Sequence, residues 1–154
     1  MEKAALKEHR RHSTADKPFS YYISNIPEYF PNAPMHWHKE FELNVILEGE
    51  GDFVTGDIHF TAYKGDIVLT PPDMLHAVYQ HDDKRCVYDT LDLDGSMLGS
   101  RDNDRAADAF IAPLISGAYS IETHITPEHC YYSELLTTAE NMISAAKGDT
   151  PLLD

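Results

Sequence analysis

The chain has 154 residues, enough for one domain with a real core and too few for two. Its 26 acidic residues against 12 basic ones leave a formal net charge of -14, a field that repels phosphate backbones, so this stretch is not expected to hold DNA by itself. The opening MEKAALKEHRRH lacks an apolar signal core, no later run has the length of a membrane helix, and Cys86 and Cys130 lack metal or redox spacing. These features predict a soluble, cytoplasmic protein with two ordinary buried thiols.

Residues 1–17 are polar and mixed in charge, with a short apolar patch at Ala4, Ala5 and Leu6; they read as an arm outside the core or a frayed terminus. A β-favouring aromatic run from Phe19 to Ile26 predicts a strand, followed by a loop punctuated by Pro27, Pro31 and Pro34. From Trp37 to Gln80 the segments FELNVILEGEG, DFVTGDIHFTAYKGD and IVLTPPDMLHAVYQ read as short strands, with the glycines at 49, 51, 56 and 65 at the breaks. CVYDTLDLD alternates residue types and adds a further strand, its acids read as a solvated edge rather than a calcium loop. GSMLGSRDND then reads as polar and irregular. So many short strands predict a sandwich or small barrel. A short helix is expected at 104–111, stopped near Pro113.

Near the end the period changes from two to 3.6. Thr126, Pro127 and Glu128 form a helix-start signal and Lys147 with Gly148 a stop. Between them Tyr131, Leu135, Ala139, Met142 and Ala146 fall on one stripe of a helix roughly 30 Å long. That stripe packs either on the chain's own barrel or on a second copy.

The stretch HWHKEFE carries the chemistry. Side chains two apart on a strand share a face, so His36, His38 and Glu42 project together if the pleat is unbroken, with Glu40 and Asn44 following them and Phe41, Leu43, Val45 and Leu47 opposite. Trp37 then faces away, toward core or helix. His76, just after a Pro-Pro turn, could be brought to the same point by a facing strand. His59, His81, His124 and His129 match no ligand spacing and read as surface or helix-end residues. No nucleophile elbow or phosphate loop is present.

His36, His38, Glu42 and Gly49 fit the first cupin motif, and Gly65, Pro71 and His76 fit the second, with Asp73 in place of a preferred glycine and Gln80 in place of a common asparagine. The wording HWHKEFELNVILEGEG followed by GDIVLTPPDMLHAVYQ, with FSYYISNIPEYFP ahead of it, resembles the amino-terminal sensor domain of AraC-type transcriptional regulators. The resemblance implies a mainly β fold, a cupin double-stranded β-helix (jelly-roll barrel), followed by a carboxy-terminal α-helix. It divides the chain into an arm at 1–17, a barrel at 18–95 and a closing segment at 96–154 that carries a dimerisation helix. It further implies a small-molecule effector, such as a sugar, inside the barrel, a homodimer, no membrane, and DNA contacts made only through a carboxy-terminal domain absent from this chain. Such a domain needs on the order of a hundred further residues and a basic face; the chain reads as a fragment cut at a domain boundary, or else a stand-alone cupin.

Metal-using cupins hold their ion with the four matching residues, which by carry-over makes His36, His38, Glu42 and His76 ligand candidates for zinc, manganese, iron or nickel. The same groups could instead form a metal-free floor that hydrogen-bonds an effector, joined by Asn44 and Tyr88, or be satisfied by neighbours. Two functions follow: effector sensing without catalysis, favoured by the resemblance, or a metal-dependent cupin isomerase or dioxygenase.

Overall fold

The computed structural model describes residues 2–99, 105 and 107–148. Eight strands form the body: β1 (Phe19–Ile26), β2 (Asn32–His36), β3 (Phe41–Thr55), β4 (Ile58–Tyr63), β5 (Ile67–Thr70), β6 (His76–Gln80), β7 (Cys86–Leu93) and β8 (His124–Ile125). All strand pairs are antiparallel. One sheet runs β1-β7-β3-β5-β8 and the other β2-β6-β3-β4, so β3 belongs to both. Its first half pairs with β5 and β7, its second half with β4 and β6. The chain is mainly β with a cupin-type barrel and a carboxy-terminal helix, as the family resemblance implies.

Gly49 and Gly51 do not break a strand; they lie inside β3. The register on β7 skips Leu47, so Ile46 faces Tyr88 while Glu48 faces Val87. Such a bulge inverts the alternation downstream. Before it, Glu42, Asn44 and Ile46 point between the sheets and Leu43 and Val45 point outward; beyond it, Phe53 joins the inner cluster. Gly49 adopts φ +75 directly against the Arg85 carbonyl, where a Cβ would lie 1.7 Å from the oxygen, so only glycine fits.

Two cores result. The inner one gathers Ile26, Ile46, Phe53, Val68, Val78 and Tyr88 between the sheets. The outer one packs Leu43, Val45, Ile67, Leu91 and Ile125 against Ala139 and Ile143 of the last helix. Ile67 and Val68 show the alternation in one dipeptide, since each enters a different core.

Within the closing segment Gly95–Leu98 is a single 3-10 turn, and residues 107–111 make a wide helical turn leading into α1 (Ala112–Ile115). Pro113 therefore sits in the first turn of a helix, where its missing N–H costs nothing, rather than ending one; residues 104 and 106 of the expected helix lie outside the described residues. The last helix, α2, spans Tyr132–Ala146 and starts later than Thr126 because residues 127–130 form a turn. There the Thr126 hydroxyl donates to Glu128 at 2.6 Å instead of capping a helix. The Tyr132 hydroxyl donates to the Gly65 carbonyl at 2.6 Å, which fixes the rotation of α2 on the barrel. Tyr131 is consequently exposed, while Leu135, Ala139, Met142, Ile143 and Ala146 face the barrel. Gly148 at φ +85 closes the helix as expected.

Two further expectations are corrected. Cys130 is exposed, and only Cys86 is buried, its thiol pushed up to about 12 by burial with Glu50 adding to it. The acids of β7 are not a solvated edge: β7 lies between β1 and β3, and Asp89 and Asp92 are both buried. Asp89 accepts from the Tyr21 hydroxyl at 2.6 Å and from Lys147 at 3.2 Å, which makes its burial tolerable.

Candidate functional site

The three histidine and glutamate positions of HWHKEFE do not share one strand. His36 ends β2, His38 lies in the connection and Glu42 is the second residue of β3. They converge because the chain turns through residues 37–40, passing from one sheet to the other. His76 opens β6 opposite His36. One ligand-type atom from each of the four lies within 4.8 Å of all the others. Asp73 explains its departure from the motif: it adopts φ +61, the left-handed conformation that glycine usually fills and aspartate tolerates, and its N–H donates to the His38 carbonyl at 2.8 Å.

Tautomers are set by backbone. The Nδ1–H of His36 donates to the Pro34 carbonyl at 2.7 Å and that of His76 to the Met74 carbonyl at 2.8 Å, since a carbonyl can only accept. Both rings therefore turn Nε2 toward the shared point, the arrangement by which metal-binding imidazoles are oriented. Glu42 Oε2 lies 3.3 Å from His38 Nε2 and 3.4 Å from His76 Nε2, while its Oε1 accepts from Asn44 at 2.7 Å. Asn44 in turn accepts from the Thr90 hydroxyl at 2.7 Å.

Burial disfavours charge on Glu42, yet the imidazoles of His76 and His38 hold its carboxyl well below the usual range. Burial also works against protonating His76, and the Glu42 carboxylate reverses that and raises it. His36 is lowered by burial, with the His76 charge adding to it. The site thus pairs one firm anion with imidazoles of unequal basicity.

The arm enters this site, contrary to its reading as an outlying segment. Its backbone runs along Trp37, with Glu8 N–H donating to the Trp37 carbonyl at 3.0 Å and Trp37 N–H to the Leu6 carbonyl at 3.1 Å. The Trp37 indole donates to the Lys3 carbonyl at 2.7 Å, with Lys3 and Lys7 over its ring. Farther on, His12 is buried between Asp92 at 2.6 Å and Glu8 at 2.9 Å. Burial lowers its basicity, but these two carboxylates outweigh that and raise it to about 11, so His12 is an imidazolium. Burial pushes the Asp92 carboxyl up, opposed by the hydrogen bond from His12.

A cavity of about 400 Å³ opens between the sheets beside these groups. Glu8, Arg10 and His12 of the arm line it, with Glu42, His36 and His76 at one side and Tyr22, Phe30, Val78 and Tyr88 among the rest. Of the candidates from sequence, His36, Glu42, His76 and Tyr88 line the cavity; His38 and Asn44 are buried and absent from its wall, Asn44 acting on Glu42. Glu8, His12 and Asp92 escaped the sequence reading. Asp92 shares the parity of Tyr88 and Thr90, which was the available signal; the arm offered none. His81 pairs with Asp52, His124 with Asp66 and His129 with Glu122, all apart from this cluster.

The donor set fits a divalent transition cation. His76 Nε2, which faces Glu42, is buried without a hydrogen-bond partner among the described residues. Three imidazoles and a carboxylate are also the ligand types such ions prefer. A bound cation would supply Lewis acidity at positions left to a ligand, with His36, His38, Glu42 and His76 holding it.

The family model of the AraC-like ligand binding domain matches residues 20–101, more than half of the chain. The chain belongs to the AraC-like ligand binding domain family. It is similar to an uncharacterized HTH-type transcriptional regulator, YdeC, of Bacillus subtilis (strain 168), 27% identical over 89 residues that make up 57% of this chain and 31% of the relative. The chain thus spans about a third of that regulator's length. Among solved structures it is similar to a cupin protein, BF4112, from Bacteroides fragilis (18% identity, 55% of this chain and 73% of that one, TM-score 0.48). The plu4264 protein from Photorhabdus luminescens is another (23% identity, 50% and 63%, TM-score 0.45). No helix among the described residues of this AraC-like ligand binding domain is long and apolar enough to cross a membrane.

Proposed function

We propose that this domain senses a small polar effector, such as a sugar, bound in the cavity between its sheets, without catalysing its conversion. The observation that carries the reading is the cavity itself: about 400 Å³, with aromatic and aliphatic walls and a converged cluster of imidazoles and carboxylates on one side. A pocket of that make-up buries a small molecule and fixes its hydroxyl or acid groups by a few placed partners. His36, His38, Glu42 and His76 hold a divalent transition metal at that side in this proposal, and Tyr88 contributes to the wall. DNA contacts fall to a carboxy-terminal domain outside this chain, and the closing segment joins two copies. Family membership and the match to a helix-turn-helix regulator support this reading.

Protein purified without a histidine tag should be assayed for zinc, manganese, iron and nickel, and its thermal unfolding followed against a panel of sugars and hydroxy acids. A ligand at a hundredfold its Kd adds about 2.7 kcal/mol of stability, and that gain should vanish in Glu42→Gln. Chemical conversion of the stabilising compound during incubation would instead establish a cupin isomerase or dioxygenase. Stabilisation by no compound of the panel, with or without added metal, would remove the sensor reading as stated.

A further inference from the structure

We propose that the amino-terminal arm supplies a fifth cation ligand, the Glu8 carboxylate, so that a divalent transition cation seated on His36, His38, Glu42 and His76 latches the arm across the cavity. The inference rests on the cation reading above. Glu8 Oε2 lies 3.5 Å from His36 Nε2, the nitrogen left facing inward by the Nδ1–H bond to Pro34. Ligand-type atoms of Glu8, His12 and His38 lie within 4.8 Å of one another, and His38 belongs to the four-residue set as well, so the two groups share a corner. Glu8 is held there from both sides: its N–H bonds the Trp37 carbonyl at 3.0 Å, and four residues later His12 bonds Asp92 at 2.6 Å. Glu8, Glu42 and Asp92 all line the one cavity. Against the arm cations Arg10 and His12, which line the same cavity, the three carboxylates leave one excess negative charge that a divalent ion offsets.

A purely structural Glu8 would serve only as the acceptor for His12, and Glu8→Gln keeps such an acceptor. The test therefore titrates Co²⁺ into the wild type, Glu8→Gln and Glu42→Gln, reading affinity from visible absorption. In parallel, trypsin cleavage at Lys7, Arg10 and Arg11 is followed by mass with and without Co²⁺. The latch predicts that Co²⁺ slows arm cleavage about tenfold in the wild type, and that Glu8→Gln weakens Co²⁺ binding about tenfold and abolishes the protection. Glu8→Gln with wild-type affinity and wild-type protection overturns the latch, while loss of uptake in Glu42→Gln in the same experiment keeps the four-residue site standing. No Co²⁺ uptake by the wild type overturns both.

Discussion

Glu42 is oriented from behind by two hydrogen bonds in series, Thr90 to Asn44 and Asn44 to Glu42. Removing the middle member strands a buried hydroxyl and a carboxylate oxygen together. Asn44→Ala should cost about 2 kcal/mol in urea unfolding, in the range for buried polar groups left unpaired, and should weaken any cation bound at Glu42 about tenfold, as loss of an orienting partner does. Stability and affinity equal to wild type would show that the series holds nothing in place. At this scale the motif spacing made the convergence of His36, His38, Glu42 and His76 legible, although the shared strand face expected for the first three does not exist. The sequence was silent on His12 and Glu8, because an arm without hydrophobic periodicity gives no register against the barrel. Asp92 was misread for a different reason. A run of acids looks solvated until each has a partner, and the partners of β7 come from the arm, β1 and α2.

At the scale of elements, β1 and β7 fall where the alternation puts them, whereas β2 occupies the stretch read as a Pro-punctuated loop and the two-residue β8 was not read as a strand. β3 runs through two glycines because a bulge absorbs Leu47 and lets one strand serve both sheets. The start of α2 slipped by one turn because capping residues describe what a helix end could use, whereas packing decides where it begins; the Tyr132 bond to Gly65 sets that rotation. Ile143 then becomes the buried anchor of the helix, with Ala139 one turn before it. Ile143→Ala should lower stability by about 3 kcal/mol, as for a large-to-small change in a packed core, measured by chemical denaturation. The exposed Tyr131→Ala should stay within about 0.5 kcal/mol of wild type. The reverse ranking would mean that α2 is docked differently.

On the scale of the whole molecule, the apolar stripe of α2 already lies against its own barrel, so a seam between two copies must use other surface. The closing segment offers it: Met97, Leu98, Ile115 and Tyr119 are exposed, and Phe110 is 67% exposed. Exposed apolar side chains grouped in one segment are the usual mark of a contact surface. If the proposed homodimer forms through this segment, Phe110→Glu should raise its dissociation constant at least about tenfold, a shift of roughly 1.4 kcal/mol, in sedimentation equilibrium. At concentrations where wild type and variant are both monomeric, their stabilities should agree within about 0.5 kcal/mol. A monomer at high concentration, or a dimer indifferent to both Phe110→Glu and Tyr119→Glu, would rule the seam out.

β7 alternates between two roles along its length. Tyr88, Thr90 and Asp92 turn toward the cavity, Asp89 and Leu91 toward α2, and Lys147 at the end of that helix grips Asp89. The strand is a party wall one backbone thick, with tenants on both sides. With Tyr88, Thr90 and Asp92 on the cavity side and Asp89 and Leu91 on the helix side, a single peptide plane is all that separates the cavity wall from the helix packed behind it.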